Sequence, residues 1–239
     1  PETGLSVEIS RGGETVSEAV IYPMLSQSMG FHYGGNVILD GDGTYEVEVT
    51  VGGIPIRATG DFEGRFDAPQ SATIDLSFTE AEREAVAVER LEEYGERGAA
   101  SPSRMDSLPS PLTVEGVPGD RLGTATKHDA EVVPTVIEGE AAPVGDRYLA
   151  AYLRTPYNRL AIPAAGWSAT VRRGGDVLTE LDLQRTFDPE VGYHYGAELS
   201  TALRAGDEVG CSPITVPQVA RHEGYERAFL DIEAVSFVV

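Results

Sequence analysis

The sequence predicts an all-β chain of two β-sandwich domains, residues 1–78 and 126–239, joined across 79–125 by a helix and an irregular connector. Three observations predict it. Apolar and polar residues alternate at period two in short runs, Gly, Pro and Asp separate the runs, and Gly-Gly pairs stand where tight turns need positive φ angles. Several such strands at short spacing favour a sandwich over any helical fold.

The elements follow in order. "LSVEISRGGETVSEAVIYPML" holds two alternating runs around a Gly-Gly turn, and "GTYEVEVTVGGIPIRATG" alternates on both sides of "VGG". The segment 79–98, "TEAEREAVAVERLEEYGERG", is rich in helix formers. Thr79 with Glu82 three residues later makes a capping box, and Gly95 or Gly98 closes the far end. "AASPSRMDSLPSPLTVEGVPGD" is an irregular connector. "DRYLAAYLRTPYNRLAIP", residues 146–163, is strand-like, and "GWSATVRRGGDVLTELDLQRTF" repeats the form of the first hairpin.

Charge narrows the function. The 239 residues carry 39 acidic and 18 basic side chains, a formal net charge of -21, and Lys127 is the sole lysine. A dense carboxylate surface whose few cations are arginines suits a halophilic source, where salt screens the repulsion. Nucleic acid and anionic membrane surfaces are excluded as partners, because both need a basic footprint. Cys211 stands alone, so neither an intrachain disulfide nor a thiolate metal cluster can form. Any metal must be held by His, Met, Tyr or carboxylate. No apolar run reaches the roughly eighteen residues of a membrane span, and no signal peptide is visible. The chain opens at Pro1 as if already under way, and the natural protein is expected to extend upstream.

Internal comparison suggests a duplication. Laying "FHYGG" at 31–35 on "YHYGA" at 193–197 superposes His32 on His194. A Gly-Gly hairpin leads into both phrases and a Gly-Asp turn leads out. "GDFEGRF" at 60–66 then falls over "EGYERAF" at 223–229. Copy two has strand-like sequence before its hairpin, whereas copy one begins only a few residues before its own. A sandwich lacking its first strands exposes sheet edges and half a core.

"MLSQSMGFHYGGN", residues 24–36, gathers Met24, Met29 and His32. Thioether and neutral imidazole suit copper well, and also borderline ions such as zinc or iron. A histidine beside an aromatic residue at a strand start is, on spacing alone, more often a packed core residue than a ligand. No HxH, HExxH or CxxC motif is present.

"YPMLSQSMGFHYGGNVILDGDGTYEVEV" resembles the segment of the bacterial periplasmic high-affinity iron-transport proteins in which "PM" precedes "HYG" and a "G-x-Y-x-V" strand follows. The resemblance covers about thirty residues per copy. It implies immunoglobulin-like domains, a dimer, a bound copper or iron ion, and an inner-membrane iron permease as partner. The family's site joins a Met, the "HYG" histidine, an early-strand His and a late-loop His, with an acidic residue beside them. Carried over residue by residue, Met24 and His32 match in copy one, although Met24 stands one position further from the histidine than the family spacing. The late-loop histidine falls near Thr59, and the early-strand histidine lies upstream of Pro1. In copy two His194 and His222 match, but the Met position is Thr186 or Phe187. His128 is an early-strand candidate, for which a solvated loop is the commoner role. Asp188 and Glu190 are the acidic candidates, although a charged turn is their commoner role too.

The expected metal ligands are therefore Met24, His32, His194 and His222, with the two copies imitating the family's dimer inside one chain or as a homodimer. The expectation is a non-catalytic, extracytoplasmic copper- or iron-binding protein related to high-affinity iron uptake, a lipoprotein anchored to the membrane through an upstream segment. The alternative is a degenerate immunoglobulin-like interaction module without metal. No G-x-S-x-G elbow or acid–base constellation supports a hydrolytic enzyme.

Overall fold

The computed structural model describes residues 5–52, 56–65, 67–86 and 112–239. Strands make up most of them, as the alternating runs require. In the first unit β1 (Ser6–Arg11) and β2 (Glu14–Val20) form a hairpin closed by Gly12 and Gly13, whose φ angles of 61° and 84° an L side chain rarely adopts. A second hairpin joins β3 (Tyr22–Ser26) to β4 (Gly30–Gly34). Next come β5 (Gly43–Val51), the two-residue β6 (Arg57–Ala58) and β7 (Gln70–Phe78), and the sheet order is β2-β1-β5-β7. Ile9 and Tyr45 bury one face of this sheet against Leu39. On β7, Ile74 remains 59% and Leu76 38% exposed, so that layer is only partly covered.

The capping box forms as read. Thr79 Oγ1 accepts the Glu82 backbone N–H at 3.2 Å and opens α1 (Glu80–Glu84). From residue 87 onward the expected helix, with Gly95 and Gly98, lies outside the described residues.

The second unit is a sandwich. Its strands are β8 (Asp120–Arg121), β9 (Ala125–Lys127), β10 (Ala130–Glu138), β11 (Arg147–Arg154), β12 (Gly166–Arg173), β13 (Asp176–Asp188), β14 (Gly192–Glu198), β15 (Glu208–Thr215), β16 (Ala220–Arg221) and β17 (Val235–Val238). The long β13 pairs first with β12 and then with β14, and so passes from one layer to the other. Trp167 and Val171 of β12, Val209 and Cys211 of β15, and Leu149 and Leu153 of β11 fill the core. The near-continuous apolar run "YLAAYL" of β11 is buried on both faces. Leu149, Ala151 and Leu153 enter that core, while Tyr148, Ala150 and Tyr152 pack on the other side with Val114, Val133 and Ile137.

The two units share a strand plan. Both Gly-Gly hairpins carry a register shift, at Ile9/Ser10 and at Val171/Arg172. β5 and β7 follow β1 across the first sheet as β15 and β17 follow β12 across the second. The units also exchange segments. β6 of the first adds parallel to β13, with Arg57 opposite Thr186, and β16 of the second adds parallel to β3, with Ala220 opposite Met24.

Candidate metal site

The exchange of late segments builds two equivalent places. At the first, Met24 and His32 are direct partners across the β3–β4 hairpin, so both side chains leave the same face. β16 runs alongside β3, and the His222 N–H donates to Leu25 O at 3.2 Å, which brings the imidazole over that face. His32 Nε2 and His222 Nε2 stand 3.1 Å apart, with the rings edge-on at 72°. His32 Nδ1 lies 3.1 Å from Gly30 O, and an N–H donated there leaves the Nε2 lone pair pointing outward. Met24 Sδ and His32 Cδ2 lie 3.1 and 3.8 Å from the point where a Cβ on Gly34 would stand, so the absent side chain is the space they share. All three candidate ligands are half-buried.

The donor set fits an ion. Two imidazole nitrogens bound at about 2.0–2.1 Å lie roughly 2.9–3.4 Å apart, between right-angled and tetrahedral geometry, and the observed separation falls inside that window. Acidic groups flank the pair. Glu223 bonds the Ser28 hydroxyl, and Glu226 accepts the Gly224 N–H. Backbone N–H groups hold the Glu226 carboxyl below its ordinary range, and neighbouring His222 lowers it further. Among the described residues no three His, Cys, Asp or Glu side chains converge, and the thioether of Met24 is the further soft donor on the face of the histidine pair.

His194 belongs to the second place, away from this pair. Its partner across the hairpin is Thr186, as Met24 is the partner of His32. The Thr59 N–H donates to Phe187 O at 3.1 Å, as the His222 N–H donates to Leu25 O. Thr59 therefore stands where His222 stands, and Thr186 where Met24 stands, which matches the alignment of the two copies. His194 is wholly buried, and that burial presses its pKa down to about 4. Its Nδ1 lies 3.0 Å from Gly192 O and its Nε2 3.1 Å from the Tyr148 hydroxyl.

Neighbouring candidates have structural roles. Met29 sits in the β3–β4 turn, its N–H donating to Ser26 Oγ. His128 is half-exposed beside Glu233, at 3.3 Å, on the outside of the sandwich. Asp188 caps the β13–β14 turn, accepting from the Glu190 and Val191 N–H groups and the Thr59 hydroxyl. Burial raises its pKa, but these donors outweigh that and leave it below the ordinary value. Arg57 and Tyr148, central to the second place, carry no motif. The only signal for them is register, since Arg57 precedes Thr59 as Ala220 precedes His222.

Fold and site together define an all-β chain with a histidine pair bridging its two halves. The family described as a domain of unknown function (DUF7350) matches residues 115–238, more than half of the sequence, and the chain belongs to that family. Residues 2–60 match the family described as Fe2+ transport protein, which links that stretch to iron uptake. Comparison with curated proteins and with solved structures returned no match. Met24 and His32 lie in the stretch similar to Fe2+ transport proteins, and His222 in the other.

Proposed function

We propose that the chain is a non-catalytic, extracytoplasmic metal-binding protein of an iron-uptake system, holding one copper or iron ion between its halves with Met24, His32 and His222. The observation that carries this reading is the 3.1 Å approach of two imidazole nitrogens from different halves, at the hairpin where Met24 faces His32. One thioether and two neutral imidazoles favour Cu(I) and accept Fe(II) or Zn(II). The likeness of residues 2–60 to Fe2+ transport proteins supports iron as the context. The shared strand plan and reciprocal exchange support tandem immunoglobulin-like copies that imitate a dimer within one chain. A membrane anchor upstream and a permease partner complete the reading, and the net charge of -21 supports a halophilic setting.

Metal-free protein titrated in high salt with Cu(I), Cu(II), Fe(II) and Zn(II) tests it. Micromolar or tighter binding that is lost in His32→Ala and in His222→Ala supports the site. Because the two Nε2 atoms also lie at hydrogen-bond distance, the competing reading is an interaction module whose histidines serve packing. Failure of every ion to bind overturns the metal reading and supports that module instead.

A further inference from the structure

In the second place Arg57 holds the register position that Ala220 holds in the first. Arg57 of β6 lies against Thr186 of β13, and its guanidinium is surrounded by neutral oxygens. Nε and Nη2 donate to Thr186 Oγ1 at 3.0 and 2.8 Å, Nη2 donates to Gly196 O at 2.8 Å, and Nη2 also donates to the Tyr148 hydroxyl. The Tyr148 ring lies under the guanidinium carbon, 5.4 Å from its centroid. No carboxylate among the described residues comes within ion-pairing distance of Arg57, although the chain carries 39 of them. A hydroxyl, a phenol, a carbonyl and an aromatic face around a positive charge with no carboxylate partner among the described residues form a coordination shell for a cation. With the His194 Nδ1–H given to Gly192 O, the Tyr148 hydroxyl is the donor to His194 Nε2, and that imidazole lone pair is consumed.

We propose that Arg57 is the resident cation of the His194 site: its guanidinium fills the place of a metal ion, closes that half to metal, and clasps the late segment of the first unit onto the second. The protein then takes one ion per chain despite two "HYG" phrases. The sequence contrast is one of size and charge. Ala220, the register equivalent of Arg57, carries a methyl group beside Met24 where Arg57 carries a guanidinium beside Thr186.

The inference extends the metal reading of the first place but is read at a different histidine. In the full chain with 15N-labelled histidine, Zn2+ alone is titrated while the imidazole nitrogens are followed by NMR. The expected result is that His32 and His222 respond in the native chain and His194 does not. In Arg57→Ala, and in the near-isosteric Arg57→Gln, the emptied shell of His194, Tyr148, Thr186 and Gly196 O admits Zn2+. The His194 nitrogens then respond, and uptake rises from one ion to two. Arg57→Lys retains a cation and keeps His194 silent. A response of His194 in the native chain overturns the proposal, as does its silence under saturating Zn2+ in folded Arg57→Ala or Arg57→Gln. If His32 and His222 stay silent in the native chain, the metal reading of the first place fails, while the His194 readout in the Arg57 variants still decides this one.

Discussion

His32 and His222 are separated by 190 positions in sequence, yet their Nε2 atoms meet at 3.1 Å. The contact exists only while β16 lies on β3, so an ion held there reports the docking of the two halves. Loss of either imidazole is expected to weaken binding beyond the roughly 10–100-fold typical of an outer-shell partner. The double variant should lose no more than the worse single one. The native chain should also gain about 2.7 kcal/mol of stability at an ion concentration 100 times Kd. His222→Ala should gain none, and calorimetry with and without ion checks both expectations.

The buried His194 makes stability depend on pH. Burial is the chief reason its pKa falls from 6.5 to about 4. The Arg57 charge lowers it further, and the Gly192 carbonyl and Asp188 oppose the fall. The unfolded chain therefore binds the extra proton first. Stability contributed by the neutral ring is complete above about pH 6.5 and is lost as pH falls toward 4, a change on the order of 3 kcal/mol. Urea midpoints measured between pH 7 and 4 should fall in the native chain. The slope should flatten in His194→Gln; an unchanged slope would place the titration elsewhere.

Much of this was legible before the structure. Alternation and Gly-Gly pairs located the hairpins because a turn at Gly12 and Gly13 needs positive φ. The Thr79–Glu82 capping box was readable because it is local chemistry. The register of Thr59 and Thr186 was legible too, since overlaying the two "HYG" phrases sets them against His222 and Met24. The crossing of late segments was not. β6 and β16 are two residues long, too short for any periodicity, and pair in parallel with strands far away in sequence. Nor did the sequence show that His32 would meet His222 while His194 meets Tyr148. Arg57 has no local signature, and Tyr148 is hidden in a run that reads as core.

The acidic surface should show in salt. At a net charge of -21, repulsion opposes the compact state most strongly where screening is weak. Raising salt from 0.1 to 1 M shortens the Debye length from about 10 to about 3 Å. The thermal midpoint should rise over that range in sodium chloride. It should rise equally in potassium chloride, since screening depends on ionic strength. A flat response would remove the support for a halophilic setting.

The glycine of each "HYG" phrase should fail differently when given a side chain. Gly34 and Gly196 each stand two residues after their histidine, and each leaves space for the group facing that histidine. At Gly196 a Cβ would overlap the Tyr148 ring, 2.5 Å from Cζ, and that ring is fixed in a packed cluster beside Arg57 and His194. Gly196→Ala should therefore cost about 1–3 kcal/mol of stability, as overpacking does. At Gly34 a Cβ would come 3.1 Å from Met24 Sδ, the flexible end of a half-buried side chain that can turn away. Gly34→Ala should unfold near the native midpoint but bind ions more weakly, because the thioether is displaced from the His32–His222 pair. Denaturation and metal titration of both variants separate the effects: a large stability loss in Gly34→Ala, or an undisturbed Gly196→Ala, would show that the two glycines do not hold these spaces.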